Sequence, residues 1–357
     1  MSEGEDWQQQ RRWVQPALQR PRLAVHGPTV VACTQRMLAT WHDGETRDLH
    51  QEMMDLMLGI AGEIFWGTKT SEQSQEIGQA LAIAQECIEA SLSDRRWLPG
   101  WLPTSNRLRL RGALRKLDAI ICDQINQSRI CSKDREDLLS LLIRSCPEAD
   151  GAGITDRQLR DELMNLFVAG RETTALALSW SGYLLAQHPA ATTNLEAELQ
   201  AVLGGRAPTA ADLPQLRTTE HVVLESLRLF PPAYALKRRA LTDCVIGDQV
   251  VPAGTVVLVA QWVLHRDARY FDDAEQFDPE RWANGLAQQL PKYAYFPFGG
   301  GPRFCVGNAL ALMIAILALA TITQQFRLRL APGHAVKLLP AATLRPAHGI
   351  PVVLTAK

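Results

Sequence analysis

The stretch from Thr155 to Gln187 constrains the fold of this chain more than any other. Thr155 is a good helix cap, an apolar periodic pattern follows it, and His188-Pro189 stops it. Roughly 32 residues at 1.5 Å each make a helix close to 50 Å long. Such a helix crosses a whole molecule of 357 residues, so the other elements have to pack around it. Its middle carries Ala169-Gly-Arg-Glu-Thr-Thr174. Gly170 weakens the helix with no visible local gain. The Thr173 hydroxyl can bond back to a carbonyl one turn earlier, which bends helices. Read locally, this is a tolerated glycine followed by two surface threonines.

Helical spacing recurs over residues 5–18, 28–42, 47–66, 72–93, 105–130 and 190–204, and again around Glu225-Ser-Leu-Arg228 before Pro231-Pro232. In 47–66 the stripe Leu49, Met53, Leu56, Met57, Ile60 and Ile64 reads as core. Trp97 to Pro103 is a turn-rich hinge. Residues 105–130 carry Arg107, Arg109, Arg111, Arg115 and Lys116, which read as a solvated face. Ala233 to Arg239 and Val245 to Ala260 read as strands, with Gly254 at a turn. His265-Arg266-Asp267 reads as a structural loop. Thr343 to Leu354 reads as a terminal hairpin.

A second feature is the loop Phe298-Gly-Gly-Gly-Pro-Arg-Phe-Cys-Val-Gly307. Its glycines and Pro302 form a turn, and the apolar run Ala309 to Ile322 then starts a buried helix. Cys305 sits at that junction. Unpaired N–H groups at a helix start stabilise negative charge, and Arg303 adds a cation. A cysteine so placed is expected to lose its proton easily, and the thiolate is the form that ligates metal; taken alone it reads as a buried structural cysteine after a glycine-rich turn.

The pattern F-x-x-G-x-R-x-C-x-G, made by Phe298, Gly301, Arg303, Cys305 and Gly307, resembles the haem-ligand signature of the cytochrome P450 family. A-G-x-E-T-T resembles the same family's oxygen-binding groove. The resemblance implies a mainly α fold with small β-sheets, in one cytochrome P450 domain over 1–357. It implies haem b (heme b, iron protoporphyrin IX) with Cys305 as axial ligand. Ala169 and Gly170 then make room beside the iron, Thr173 hydrogen-bonds dioxygen there, and Glu172 belongs to the proton relay. Trp7-x-x-x-Arg11 resembles the helix that reaches the haem propionates. Arg238 matches another propionate-binding position, with Arg239 as its neighbour. Phe277-Asp-Pro-Glu-Arg-Trp282 resembles the loop whose Arg281 joins Glu225 and Arg228 in a buried triad that serves folding and haem retention. The terminal hairpin borders the substrate pocket in this family.

The activity so implied is a haem-thiolate monooxygenase that inserts one atom of O2 into an apolar small-molecule substrate. No flavin, nucleotide or iron–sulfur motif lies in the chain. Electrons are therefore expected from a separate redox protein (ferredoxin, flavodoxin or reductase) docking near the basic segment 11–22. The alternative is a haem-binding protein without turnover, or an inactive fragment. Family members carry further helices and strands before the W-x-x-x-R helix. This chain therefore reads as N-terminally truncated, with an unpaired sheet edge and an open pocket roof expected.

Composition sets outer limits. Apolar content of 46% and charged content of 21% suit a globular protein. A net charge of −1 leaves no footprint for nucleic acid. Cys33, Cys87, Cys122, Cys131, Cys146, Cys244 and Cys305 contain no C-x-x-C pair, which argues against a zinc site or disulfide framework and for a reducing compartment. No signal peptide opens the chain and no uncharged apolar stretch is long enough to span a membrane, so a cytoplasmic location is expected.

Overall fold

In a computed structural model the long helix is present and dominates. The structure describes residues 2–67, 71–93, 104–131, 136–145 and 154–357; the hinge read at Trp97 to Pro103 lies outside them. The helices in chain order are α1 (Gly4–Val14), α2 (Arg20–Leu23), α3 (Gly27–Leu38), α4 (Leu49–Trp66), α5 (Ser71–Ser93), α6 (Ser105–Cys131) and α7 (Leu138–Ser145). They continue as α8 (Asp156–Gln187), α9 (Pro189–Leu203), α10 (Arg217–Leu229), α11 (Gln261–Leu264), α12 (Leu286–Gln289) and α13 (Asn308–Gln325).

Helix α8 runs for 32 residues. Thr155 opens it with a capping box: its hydroxyl accepts from Gln158 N, and Gln158 Oε1 accepts from Thr155 N at 3.0 Å. Pro189 has no N–H to extend the ladder and becomes the first residue of α9. Around α8 pack α4, α6, α10 and α13. Helix α13 is apolar on every side, and Met313 to Thr323 are all buried. By length and composition it alone among the described residues could cross a membrane. Burial against α3, α8 and α10 identifies it as a core helix.

The strands are short: β1 (Thr46–Asp48), β2 (Leu236–Arg239), β3 (Cys244–Ile246), β4 (Gln249–Val251), β5 (Val256–Val259), β6 (Phe326–Leu330), β7 (Leu338–Pro340), β8 (Leu344–Pro346) and β9 (Pro351–Ala356). The strand expected over 245–260 is thus three strands separated by turns, with Gly254 at φ +83°. The terminal hairpin is corrected. β8 pairs back with β7, whereas β9 is the middle strand of the sheet β1-β9-β6, with Thr46 opposite Val353 and Leu330 opposite Val352. No sequence signal specifies a partner that far away.

β2 and β5 pair only with each other among the described residues. The β3–β4 hairpin leaves Val245 68% and Val250 72% exposed. The triad read around Glu225 is fully assembled. Glu225 and Arg228 are both 0% exposed, and Arg281 Nε donates to Glu225 Oε1 at 2.9 Å.

Candidate active site

The loop Phe298–Gly307 crosses between β5 and α13 and closes on itself. Cys305 N donates to Phe298 O at 3.0 Å and Phe304 N to Gly301 O at 3.0 Å. Gly299 and Gly301 sit at φ +74° and +68°, where a side chain would be strained. That turn delivers Cys305 to the rim of a cavity of about 320 Å³, within the range of small-molecule sites. Phe298, Arg303, Cys305 and Gly307 line it from the loop, and Ala169, Gly170, Thr173 and Thr174 from α8. A Cβ added at Gly170 or at Gly307 meets nothing within 4 Å, so both glycines leave room in the cavity.

The expectation that Cys305 loses its proton easily is corrected for the protein chain alone. Cys305 is exposed where it lines the cavity, and the protein packed around it still desolvates the thiol. Burial pushes the thiol up, and neither the Gly307 N–H nor the Arg11 charge offsets it. The helix-start effect is real but the smaller of the two.

The expected cations fall into two groups. Arg303 and Arg238 line the cavity. Of the two neighbours on strand β2, Arg238 lines the cavity together with Leu236, whereas Arg239 falls on the opposite face. Trp7 and Arg11 stand outside the lining. The Trp7 ring lies 4.3 Å from the Arg303 guanidinium and 5.9 Å from that of Arg11. Arg303 also donates to Ser2 O and pairs with Glu3, each at 3.0 Å. Arg11 Nη1 donates to Phe304 O at 2.9 Å, tying α1 to the cysteine loop.

On α8, Thr173 Oγ1 donates to Ala169 O at 2.8 Å, the back-bond its position suggested. Glu172 lies outside the cavity lining. Its carboxylate accepts from Thr343 Oγ1 at 2.7 Å, and Arg345 Nε stands 3.9 Å away. Sequence reasoning read Met57, Ile60 and Ile64 of α4 purely as core. They are buried, and they also line the cavity, joined by Val223 and Leu227 of α10 and by Leu310 and Ile314 of α13. Nothing in an apolar helical stripe separates these two duties.

The residues suit a haem. A thiol faces apolar walls with two glycines recessed. Arg303 and Arg238 border the cavity and would supply cations for a porphyrin's carboxylates. Among the described residues no cluster of His, Cys, Asp or Glu offers an alternative metal site.

Comparison with known proteins agrees with this geometry. The cytochrome P450 family model matches residues 1–350. The chain is 35% identical over 334 residues to cyclooctat-9-en-7-ol 5-monooxygenase of Streptomyces melanosporofaciens, which spans 93% of this chain and 73% of that protein. It is 32% identical over 355 residues to pentalenene oxygenase of Streptomyces avermitilis, spanning 99% of this chain and 78% of the relative. The crystal structure of a cytochrome P450 (CYP102L1) superposes with a TM-score of 0.88 at 22% identity, covering 100% of this chain and 83% of that one, and shares the fold. On these grounds the chain belongs to the cytochrome P450 family of haem-thiolate monooxygenases.

Proposed function

We propose that Cys305 is the thiolate that holds haem b in this monooxygenase, and that the substrate is an apolar cyclic hydrocarbon skeleton of the terpenoid kind. One observation carries the reading: a single cavity with Cys305 on its loop wall and Thr173 and Gly170 on its α8 wall. When bound, the haem supplies oxygen activation, which a cysteine ligand favours by pushing electron density toward the bond that breaks. Ligation removes a thiol proton outright, so burial of Cys305 is no obstacle once metal is present.

The chain's own residues then hold, orient and exclude water. Arg303 and Arg238 take the two porphyrin carboxylates; the Trp7 ring stacked on Arg303 fixes that guanidinium, and Arg11 braces the loop through Phe304 O. Phe298, Gly301 and Gly307 shape the loop, and Ala169 and Gly170 keep the opposite wall recessed. Thr173 has its own proton committed to Ala169 O, so its oxygen accepts from the cavity until that bond opens. Glu172 stores a proton-transfer group behind it, and has to leave Thr343 to reach the cavity.

Among the described residues, the charged side chains lining the cavity are Arg238 and Arg303. Both are assigned to the cofactor, which leaves a fatty-acid carboxylate without a partner and favours terpenoids over fatty acids. The names of the two relatives specify cyclic or unsaturated substrates. Electrons come from a separate ferredoxin, flavodoxin or reductase that docks near the basic segment 11–22. Residues 1–357 work as one domain, in the cytoplasm. The test is Cys305→Ala, which should abolish the thiolate-type spectrum of the reduced carbon-monoxide adduct. Survival of that spectrum removes Cys305 from its role.

A further inference from the structure

Thr174 is set apart from the other hydroxyl residues on the long helices. Helical hydroxyls here generally bond back one turn: Thr34 to Val30 O at 2.8 Å, Thr173 to Ala169 O at 2.8 Å, Ser179 to Ala175 O at 2.7 Å, Ser181 to Ala177 O at 2.8 Å and Thr321 to Leu317 O at 2.7 Å. Thr174 is only 3% exposed, and among the described residues its hydroxyl has no partner, although the Gly170 carbonyl lies one turn back. Ser128, Ser140 and Ser226 also lack partners, but they lie in closed packing away from the cavity. Thr174 lines the cavity, next to Thr173.

The Thr174 hydroxyl opens onto the cavity, so its partner is to be sought in what fills that space. The porphyrin carboxylates do not supply it. The cations that suit them, Arg238 on β2 and Arg303 on the loop, sit on other elements. Facing the same space from α4 and α10 are Met57, Ile60, Val223 and Leu227, which offer no hydrogen-bonding group beyond the weakly accepting sulfur of Met57.

We propose that Thr174 is a specificity-determining residue whose hydroxyl bonds an oxygen atom already present on the substrate. Resting on the substrate reading above, this narrows it. The preferred substrate is a cyclic hydrocarbon that carries a hydroxyl, not the bare hydrocarbon. The reaction that supplies it is one that leaves oxygen on the ring skeleton, either a cyclisation ended by water or an earlier hydroxylation. A directional polar contact in an apolar wall discriminates in this way because the analogue lacking the oxygen leaves the protein hydroxyl unpaired.

The experiment is a spectral binding titration of the haem-loaded full chain with cedrol and α-cedrene, a cyclic alcohol and an alkene of the same skeleton. Wild type is compared with Thr174→Val and Thr174→Ser, after matching haem content, melting temperature and carbon-monoxide spectrum. A single neutral hydrogen bond corresponds to roughly three- to tenfold in Kd. The expected result is that Thr174→Val weakens cedrol by about that factor and leaves α-cedrene within about twofold, while Thr174→Ser keeps the wild-type preference. Equal weakening of both ligands, or no change in either, overturns the role of Thr174 and leaves the substrate class standing. Failure of both ligands to perturb the wild-type spectrum overturns the terpenoid reading and this proposal together.

Discussion

Glu225→Ala should be among the most damaging single changes outside the cavity. The Glu225 carboxylate is fully buried and receives five hydrogen bonds: Arg228 Nε and Nη2 at 2.8 Å, Arg281 Nε at 2.9 Å, Trp282 Nε1 at 3.0 Å and Asp278 N at 3.0 Å. Arg228 in turn donates to His265 O at 2.8 Å, Ala274 O at 2.5 Å and Gln276 O at 2.9 Å, so it joins α10 to the loops before Trp282. Removing the carboxylate strands a guanidinium that is 0% exposed, and breaking such a pair costs about 3–5 kcal/mol. At about 2 °C per kcal/mol for a long chain, melting at a fixed scan rate should fall by roughly 6–10 °C. Arg228→Ala should cost a similar amount. The double variant should cost less than the two singles combined, because the second substitution removes the charge that the first left unpaired. Simple additivity, or a fall of less than about 2 °C for Glu225→Ala, would refute the claim that this network is held by its buried charge.

Three further outcomes follow from particular contacts. His265 is buried, accepts from Phe296 N at 3.0 Å, and has its pKa pushed down to about 3 by burial, with the Arg228 charge second. Because the unfolded chain binds this proton near its ordinary value and the folded chain does not, stability is full above about pH 6.5 and is lost as pH falls toward 3. In urea unfolding at pH 7 and pH 5, His265→Asn should reduce the pH-dependent loss by about 2 kcal/mol; an unchanged difference refutes the assignment. Arg238→Ala should speed haem transfer to apomyoglobin by roughly 10- to 100-fold while Arg239→Ala leaves it unaltered, and equal effects would contradict the register of β2. Thr155→Ala removes the capping box of α8 and should lower stability by about 0.5–2 kcal/mol in urea unfolding, with an unchanged carbon-monoxide spectrum.

What was legible in the sequence is what local chemistry determines. The Thr155 box and Pro189 mark both ends of α8 because caps and missing donors act within one turn. The turn at Gly299 to Gly301 is legible because only glycine accepts those dihedrals, and the Glu225–Arg228 spacing already puts both charges on one helix face. What stayed hidden depends on the neighbours that tertiary packing brings. Glu172 and Thr173 are adjacent, yet successive helix positions diverge by about 100°: one meets Thr343 from the β7–β8 turn, the other the cavity. Thr174, the next position along, also lines the cavity, and among the described residues its hydroxyl has no partner, which the doubled threonine alone does not disclose. The proton affinity of Cys305 was misread for a related reason, since a helix start and a nearby arginine are visible in sequence and the burial that outweighs them is not. Strand β9 finds β1 across 300 residues of chain for the same reason, through the burial of Val352 and Leu354. Function in this chain is thus set where helix periodicity meets a neighbour. Of two adjacent threonines, one has its hydroxyl bonded within its own helix, and the other opens onto the cavity with no such bond among the described residues.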